Sequence, residues 1–278
     1  MPATVVKGTE LAAAIEAAIK NAVAAAAPPK LAVVLARGQE GAAAYSRSLA
    51  KAGGRVGVTV DAHELEADAA AAARLIAELN AAADVHGVIL QKPFAGRALD
   101  VELADRIALA KDVDGQTGAA QGLLWLGRPT FVPSTAAAAI FILEKFGVPL
   151  AGAEAVVVGR SPVVGKPAAA LLLARDATVT LCHTKTRDLG AVCRRADILV
   201  VAAGAAELVA GDMVKPGAAV VDCGYNVRED GTVVGDVDFE GAAGRASLIT
   251  PAKGGVGPVT TALLLAAVAR AAGAEISL

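Results

Sequence analysis

The feature that most restricts this chain is the loop Gly159-Arg160-Ser161-Pro162-Val163-Val164-Gly165. It lies between a β-branched run, Ala155–Val158, and a helix-like stretch, Gly165–Leu173, with Pro167 in its first turn. A strand that ends in glycine and turns through a short loop into a helix can hold a pyrophosphate. The helix start offers free N–H groups and a partial positive charge, and glycine lets the backbone approach closely. The spacing is G-x5-G, however, not G-x-G-x-x-G. Taken alone, the loop therefore leaves two readings open, a dinucleotide site or an ordinary glycine-rich turn.

The segments around it repeat the same rhythm. Thr178–Leu181, Ile198–Ala202 and Ala218–Val221 read as strands, Leu189–Arg195 as a helix, and the tail after Gly257-Pro258 as one long helix. The first half alternates in the same way. Helices are expected over Leu11–Ala26, Ala42–Ala52 (stopping at Gly53-Gly54) and Ala69–Ala82, the last capped by Asp68. Strands are expected over Leu31–Leu35, Val56–Leu65 and Gly87–Leu90. Lys111–Pro133 is glycine-rich and irregular, and reads as a functional loop region; a helix, Thr135–Phe146, follows. At 278 residues, two α/β domains with parallel sheets and covering helices are the natural arrangement.

Composition narrows the function. Hydrophobic residues make up 55% of the chain but aromatics only 3%, and much of the remainder is alanine, so the cores depend on Val, Leu and Ile. Trp125, alone in an apolar context, reads as core. A net charge of −2 gives no footprint for nucleic acid or anionic lipid. The three cysteines, Cys182, Cys193 and Cys223, form no metal-spaced cluster and read as buried thiols of a reducing compartment, so no metal site is expected. There is neither a signal-peptide pattern nor a membrane-length apolar run, and the chain reads as soluble and cytoplasmic.

The second strand after the loop selects the cofactor. In NAD-specific domains an acidic residue at its end binds the ribose diol. Here the position falls in Leu181-Cys182-His183-Thr184-Lys185-Thr186, with no carboxylate before Asp188, and Arg160 lies on the loop. Hydroxyls and cations would attract a 2′-phosphate that a carboxylate would repel. The expected cofactor is NADP.

Six motifs occur in order: KDVDG (Lys111–Gly115), GRSPVVGKP (Gly159–Pro167), CHTKT (Cys182–Thr186), VVDCGYN (Val220–Asn226), GDVDF (Gly235–Phe239) and TPAKGGVGPVT (Thr250–Thr260). This set resembles the bifunctional methylenetetrahydrofolate dehydrogenase/methenyltetrahydrofolate cyclohydrolase family over essentially the whole chain. The resemblance implies an N-terminal α/β folate domain (1–135 with 263–278), a C-terminal Rossmann-type domain (136–262), a cleft between them and a homodimer. It implies hydride transfer from 5,10-methylenetetrahydrofolate to NADP, then hydrolysis of the methenyl product to 10-formyltetrahydrofolate. Cofactor contacts fall on Gly159, Arg160, Ser161, Gly165, His183, Thr184, Gly224 and Tyr225. Catalytic positions fall on Tyr45, Gln91 and Asp114, and further substrate contacts on Lys92, Gly254, Gly255 and Pro258.

The family's lysine four residues after the tyrosine does not carry over: that position is Leu49. Lys51 lies two residues further, roughly 200° around the helix, and reads as a solvated side chain. Gln91-Lys92-Pro93-Phe94-Ala95 and Lys253-Gly254-Gly255-Val256-Gly257-Pro258 place two lysines, Lys92 and Lys253, where the family has leucine and proline. The resemblance thus implies a dehydrogenase with weak or absent cyclohydrolase activity. The new lysines leave open neutral drift, a replacement cation or recognition of a different pterin. A repurposed paralogue that binds dinucleotide without turning over folate is the other reading.

Overall fold

The computed structural model describes residues 3–24 and 27–278. Along the first half run β1 (Thr4–Val5), α1 (Gly8–Val23), β2 (Lys30–Ala36), α2 (Glu40–Val56), β3 (Thr59–Leu65), α3 (Ala69–Ala81), β4 (Gly87–Leu90), α4 (Arg97–Ala104) and α5 (Gly118–Trp125). Then come α6 (Ser134–Lys145), β5 (Glu154–Val158), α7 (Gly165–Leu173), β6 (Thr178–Cys182), α8 (Leu189–Cys193), β7 (Ile198–Val201) and β8 (Ala219–Asp222). The chain finishes with β9 (Asn226–Val227), β10 (Val233–Val234), α9 (Phe239–Ala243), β11 (Leu248–Ile249) and α10 (Val256–Ala271). Two compact units divide these elements. One takes Ala12–Val132 with Thr261–Leu278, and the other takes the residues up to Leu11 with Pro133–Thr260.

In the first of these units β2 lies between β3 and β4 in a three-stranded parallel sheet. Six of the seven residues of β2, Leu31–Ala36, are buried, which is why that segment reads as a continuous apolar run. Val34, Leu90, Ile76, Leu79, Phe94 and Leu103 build the core on one side of this sheet. Asp68 caps α3, its carboxylate accepting the Ala70 N–H at 2.8 Å. Helix α2 runs through Gly53-Gly54, where the sequence suggested a stop, and ends at Gly57 in the left-handed conformation. Its buried face is Ser46, Leu49, Ala52, Gly53 and Val56. The expected end of the first helix at Ala25–Ala26 lies outside the described residues.

The region 111–133 is less irregular than its composition suggests, because α5 forms within it, capped by the Thr117 hydroxyl. Trp125 is a correction: it is 50% exposed, not core. It is the last residue of α5, a helix whose buried residues are Ala120 and Leu124, and so it falls off the buried face.

The other unit holds a six-stranded, wholly parallel sheet in the order β1-β11-β8-β7-β5-β6. Its first strand comes from the chain's start, a segment the sequence grouped with residues 1–135. Thr4 and Val5 pair with Leu248 and Ile249. From β5 the chain passes to β6 on one side and then to β7, β8 and β11 on the other. The strand order therefore reverses between β5 and β7, leaving a crevice at their carboxyl ends, the place where open α/β sheets bind ligands. Cys182 and Cys193 are buried in this unit's core, Cys223 is partly buried, and all three thiols are free.

Candidate functional site

The loop singled out at the start sits at that reversal point. Gly159 follows β5 with φ of +121°, and a Cβ there would lie 2.1 Å from the Ala202 carbonyl oxygen at the end of β7. A Cβ on Gly165, at the start of α7, would lie 2.0 Å from the Gly159 carbonyl oxygen. Gly165 is required by contact with the other end of its own loop and Gly159 by contact with the chain leaving β7, and that close packing is how a G-x5-G spacing produces a tight turn. The Ser161 hydroxyl accepts from the Val164 N–H at 3.1 Å and the Gly165 N–H at 3.4 Å, so it shapes the loop from inside. Pro162 and Arg160 are exposed on its outer side.

Beyond β6, the His183 N–H donates to the Thr186 hydroxyl at 2.8 Å and His183 Nδ1 accepts the Lys185 N–H at 3.1 Å. This turn holds no carboxylate. Thr184 and Lys185 are exposed, His183 is half-buried, and Gly224 and Tyr225, expected at the cofactor, are buried and 66% exposed respectively.

Two residues that sequence reasoning missed organise the remaining loops at this edge of the sheet. Asp236, fully buried, accepts the N–H groups of Ala203 (2.6 Å), Gly204 (2.8 Å) and Ala205 (3.0 Å) and the Asn226 amide (2.9 Å). Asp222 accepts from the N–H groups of Gly224 (2.8 Å), Val237 (2.9 Å) and Asp236 (3.1 Å). Burial pushes the Asp222 carboxyl up to about 6, against the pull of those three donors, with the Asp236 charge adding to the rise. The available signal was an acidic residue at a strand end inside VVDCGYN and GDVDF.

In the other unit the expected catalytic residues come from three elements. Tyr45 is on the first turns of α2; Gln91 and Lys92 directly follow β4; Asp114 is in the loop after the turn Leu109–Lys111. The Gln91 N–H donates to the Val34 carbonyl at 2.8 Å, extending the β2–β4 ladder by one residue. Burial raises the Tyr45 phenol, and the Asp114 charge raises it further, so Tyr45 remains a neutral O–H donor at working pH.

Gln116 is the other residue missed. Its side-chain oxygen accepts the Leu90 N–H at 3.2 Å, and its amide donates to the Asp114 carboxylate at 3.3 Å, tying Asp114 to the end of β4. Asp112 is buried and holds the same loop by accepting the N–H groups of Gln116 and Thr117. Lys111 closes the far end, donating to the Leu79 and Ala82 carbonyls. In KDVDG, therefore, the lysine and first aspartate build the loop that presents Asp114.

Leu49 is fully buried and Lys51 is exposed, so α2 offers no amine on the buried face it shares with Ser46. Of the two unexpected lysines, Lys92 is half-buried and Lys253 exposed. Gly254, with φ of +83°, Gly255 and Pro258 lie at the start of α10 in the six-stranded unit.

Residues 6–114 match the family described as Tetrahydrofolate dehydrogenase/cyclohydrolase, catalytic domain, and residues 133–276 match its NAD(P)-binding domain. The bifunctional protein FolD of Moorella thermoacetica is 45% identical over 271 residues, covering 95% of this chain and 97% of the relative. The solved bifunctional FolD of Campylobacter jejuni superposes with a TM-score of 0.93 at 36% identity, covering 97% of this chain and 98% of that one. A Trypanosoma brucei methylenetetrahydrofolate dehydrogenase-cyclohydrolase, solved with NADP and an inhibitor, gives 0.91 at 34% identity over 96% of each chain. On the glycine loop at the strand reversal, the acid-free turn after β6 and these matches over nearly its full length, the chain belongs to the tetrahydrofolate dehydrogenase/cyclohydrolase family.

Proposed function

We propose that this protein oxidises 5,10-methylenetetrahydrofolate to 5,10-methenyltetrahydrofolate with NADP, and that it hydrolyses the methenyl product slowly. The observation that carries the reading is the carboxylate-free turn His183–Thr186, next to a loop closed by Gly159 and Gly165 at the strand reversal. Exposed Arg160 and Lys185 supply positive charge for a 2′-phosphate, and among the described residues neither side chain is in an ion pair. NADP, when bound, supplies the hydride acceptor.

Hydride leaves a carbon whose two neighbouring nitrogens stabilise the cation that forms, so this step demands positioning more than proton transfer. Asp114, fixed by Gln116, is suited to the pterin's amino group and ring N–H. Tyr45, as a neutral phenol, and Gln91 contribute hydrogen bonds. Hydrolysis does require proton transfer, and α2 places the buried hydrocarbon of Leu49 where an amine would serve. Residues 1–135 with 263–278, apart from the β1 strand that pairs in the six-stranded sheet, are assigned to the folate side and 136–262 to the cofactor side, with Gly254, Gly255 and Pro258 at the substrate. A homodimer in the cytoplasm completes the proposal. Among the described residues no helix is long and apolar enough to cross a membrane.

The test supplies methylenetetrahydrofolate and NADP and follows methenyl absorbance. Absence of any methenyl product would refute the reading. Calorimetric binding of NADP without folate binding would favour the dinucleotide-binding paralogue instead.

A further inference from the structure

Lys92 is placed unlike any other lysine of the chain. Its backbone is held on both sides: the Gln91 N–H donates to the Val34 carbonyl, and the Phe94 and Ala95 N–H groups donate to the Asp100 carboxylate at 3.1 and 2.7 Å. Its side chain is half-buried and, among the described residues, makes no hydrogen bond or ion pair. The lysines with carbonyl or carboxylate partners, Lys111 and Lys30 for example, are anchored by them. The carboxylates that act on Lys92 are Asp100, Asp112, Asp114 and Asp105. Three of these are committed to the backbone. Asp100 and Asp112 accept loop N–H groups, as above, and Asp105 accepts the Gly118 N–H at 2.6 Å. Asp114 is the one that also acts on Tyr45, so one carboxylate bears on both side chains.

We infer that Lys92 is the proton-transfer group for the methenyl hydrolysis this enzyme retains, standing on the β4 side of the site where α2 carries Leu49. The inference rests on the folate reading above. Burial outweighs the four carboxylates and lowers the Lys92 ammonium below the ordinary lysine value, which favours a free amine. That amine takes a proton from water as the water oxygen bonds to the methenyl carbon, giving a neutral carbinolamine and an ammonium. As the bond from that carbon to the pterin-ring nitrogen breaks, Lys92 returns its proton to the nitrogen. The remaining hydroxyl proton leaves to solvent as the formyl carbonyl forms. A cationic substrate and water thus become a neutral formyl product and one proton. Lys253, exposed in the other unit, shows none of the burial that this role needs.

The experiment measures two rates on the full chain: hydride transfer from methylenetetrahydrofolate to NADP, and decay of methenyltetrahydrofolate supplied directly. Lys92→Met is expected to lower kcat for hydrolysis at least about 30-fold more than kcat for hydride transfer, and to abolish the alkaline-rising limb of the hydrolysis pH profile. Lys92→Arg, charged but unable to give up its proton, should not rescue it. NADP binding reports folding of each variant, and Lys92→Gln serves if the methionine variant is unfolded. Equal losses in both rates, expressed in KM, would overturn the inference in favour of substrate positioning. Wild-type decay no faster than buffer would overturn it while leaving the dehydrogenase intact. Failure of hydride transfer alone would refute the reading beneath it, and the supplied methenyl substrate would still score Lys92.

Discussion

Replacing Gly165 with alanine isolates the contact on which the cofactor loop depends. Gly165 does not have a left-handed φ, so alanine there meets no backbone strain. The obstacle is purely spatial: the new methyl would lie 2.0 Å from the Gly159 carbonyl oxygen, 2.5 Å from its carbon and 3.0 Å from the Arg160 nitrogen. All are backbone atoms, so no side chain can rotate away, and α7 must separate from the loop by about 1.4 Å to restore an ordinary contact. Overpacking of this kind costs about 1–3 kcal/mol. The reduced freedom of the unfolded chain returns only about 0.4–1 kcal/mol. If the separation distorts the pyrophosphate cradle, NADP affinity falls about 5- to 150-fold. The assay is calorimetric titration with NADP beside urea unfolding of the unliganded protein. Gly54→Ala is the matched control, since that helical glycine has nothing within 4 Å of its would-be Cβ. It should hold or gain stability and bind NADP as the wild type does. A Gly165→Ala protein with NADP affinity within twofold of wild type and unchanged stability would refute the claim that loop closure requires this glycine.

Three further outcomes are expected. Leu49→Lys puts an ammonium on the buried face of α2: methenyl decay should accelerate while the urea midpoint drops, reflecting about 1.5–3 kcal/mol of lost leucine burial. Asp236→Ala frees the Ala203–Ala205 N–H groups and the Asn226 amide and should cost about 1–3 kcal/mol in urea unfolding, with weaker NADP binding. For Asp222 the folded carboxyl titrates at about 6, above its unfolded value. The native state therefore holds the extra proton between the two, and this contribution to stability is present at low pH and lost as pH rises through 6. Wild-type stability should fall by roughly 1 kcal/mol from this group between about pH 5 and 7. Urea series on wild type and Asp222→Asn should differ by that tilt, and parallel pH curves would exclude it.

The parts of the fold that were legible in the sequence are those where local chemistry and packing agree. The runs LAVVL and GVIL are strands because both faces are covered, and Asp68 caps a helix because its carboxylate reaches the Ala70 N–H two residues on. The elements that escaped are the ones fixed by distant partners. The N-terminal run reads as a short strand, but its place in the six-stranded sheet, beside Leu248–Ile249, is set by residues far along the chain and did not show in the sequence. Gly53-Gly54 looked like a stop, yet Gly53 packs against the Val58 carbonyl region, where a side chain would collide, and α2 continues to Gly57. The same distinction holds at the site. Tyr45, Gln91 and Asp114 could be named only through the family resemblance. Gln116, Asp222 and Asp236 could not, because their role is to accept or donate across distant positions of chain, 26 from Leu90 to Gln116, 14 from Asp222 to Asp236 and 33 from Ala203 to Asp236.

The two halves of the proposed reaction therefore rest on different kinds of structure. The proposed hydride step needs a dinucleotide and a pterin held still, and the loops assigned to that task are fixed by the buried carboxylates Asp112, Asp222 and Asp236. Proton transfer needs one amine near one carbon, and that amine can be supplied from any element that reaches the site. On α2 the buried face carries Leu49 and no charged side chain, whereas the turn after β4 is held at Gln91 and at Phe94 and leaves Lys92 between them partly desolvated. Placing lysine at 49 in a Lys92→Met background should restore hydrolysis if the two positions serve the same carbon.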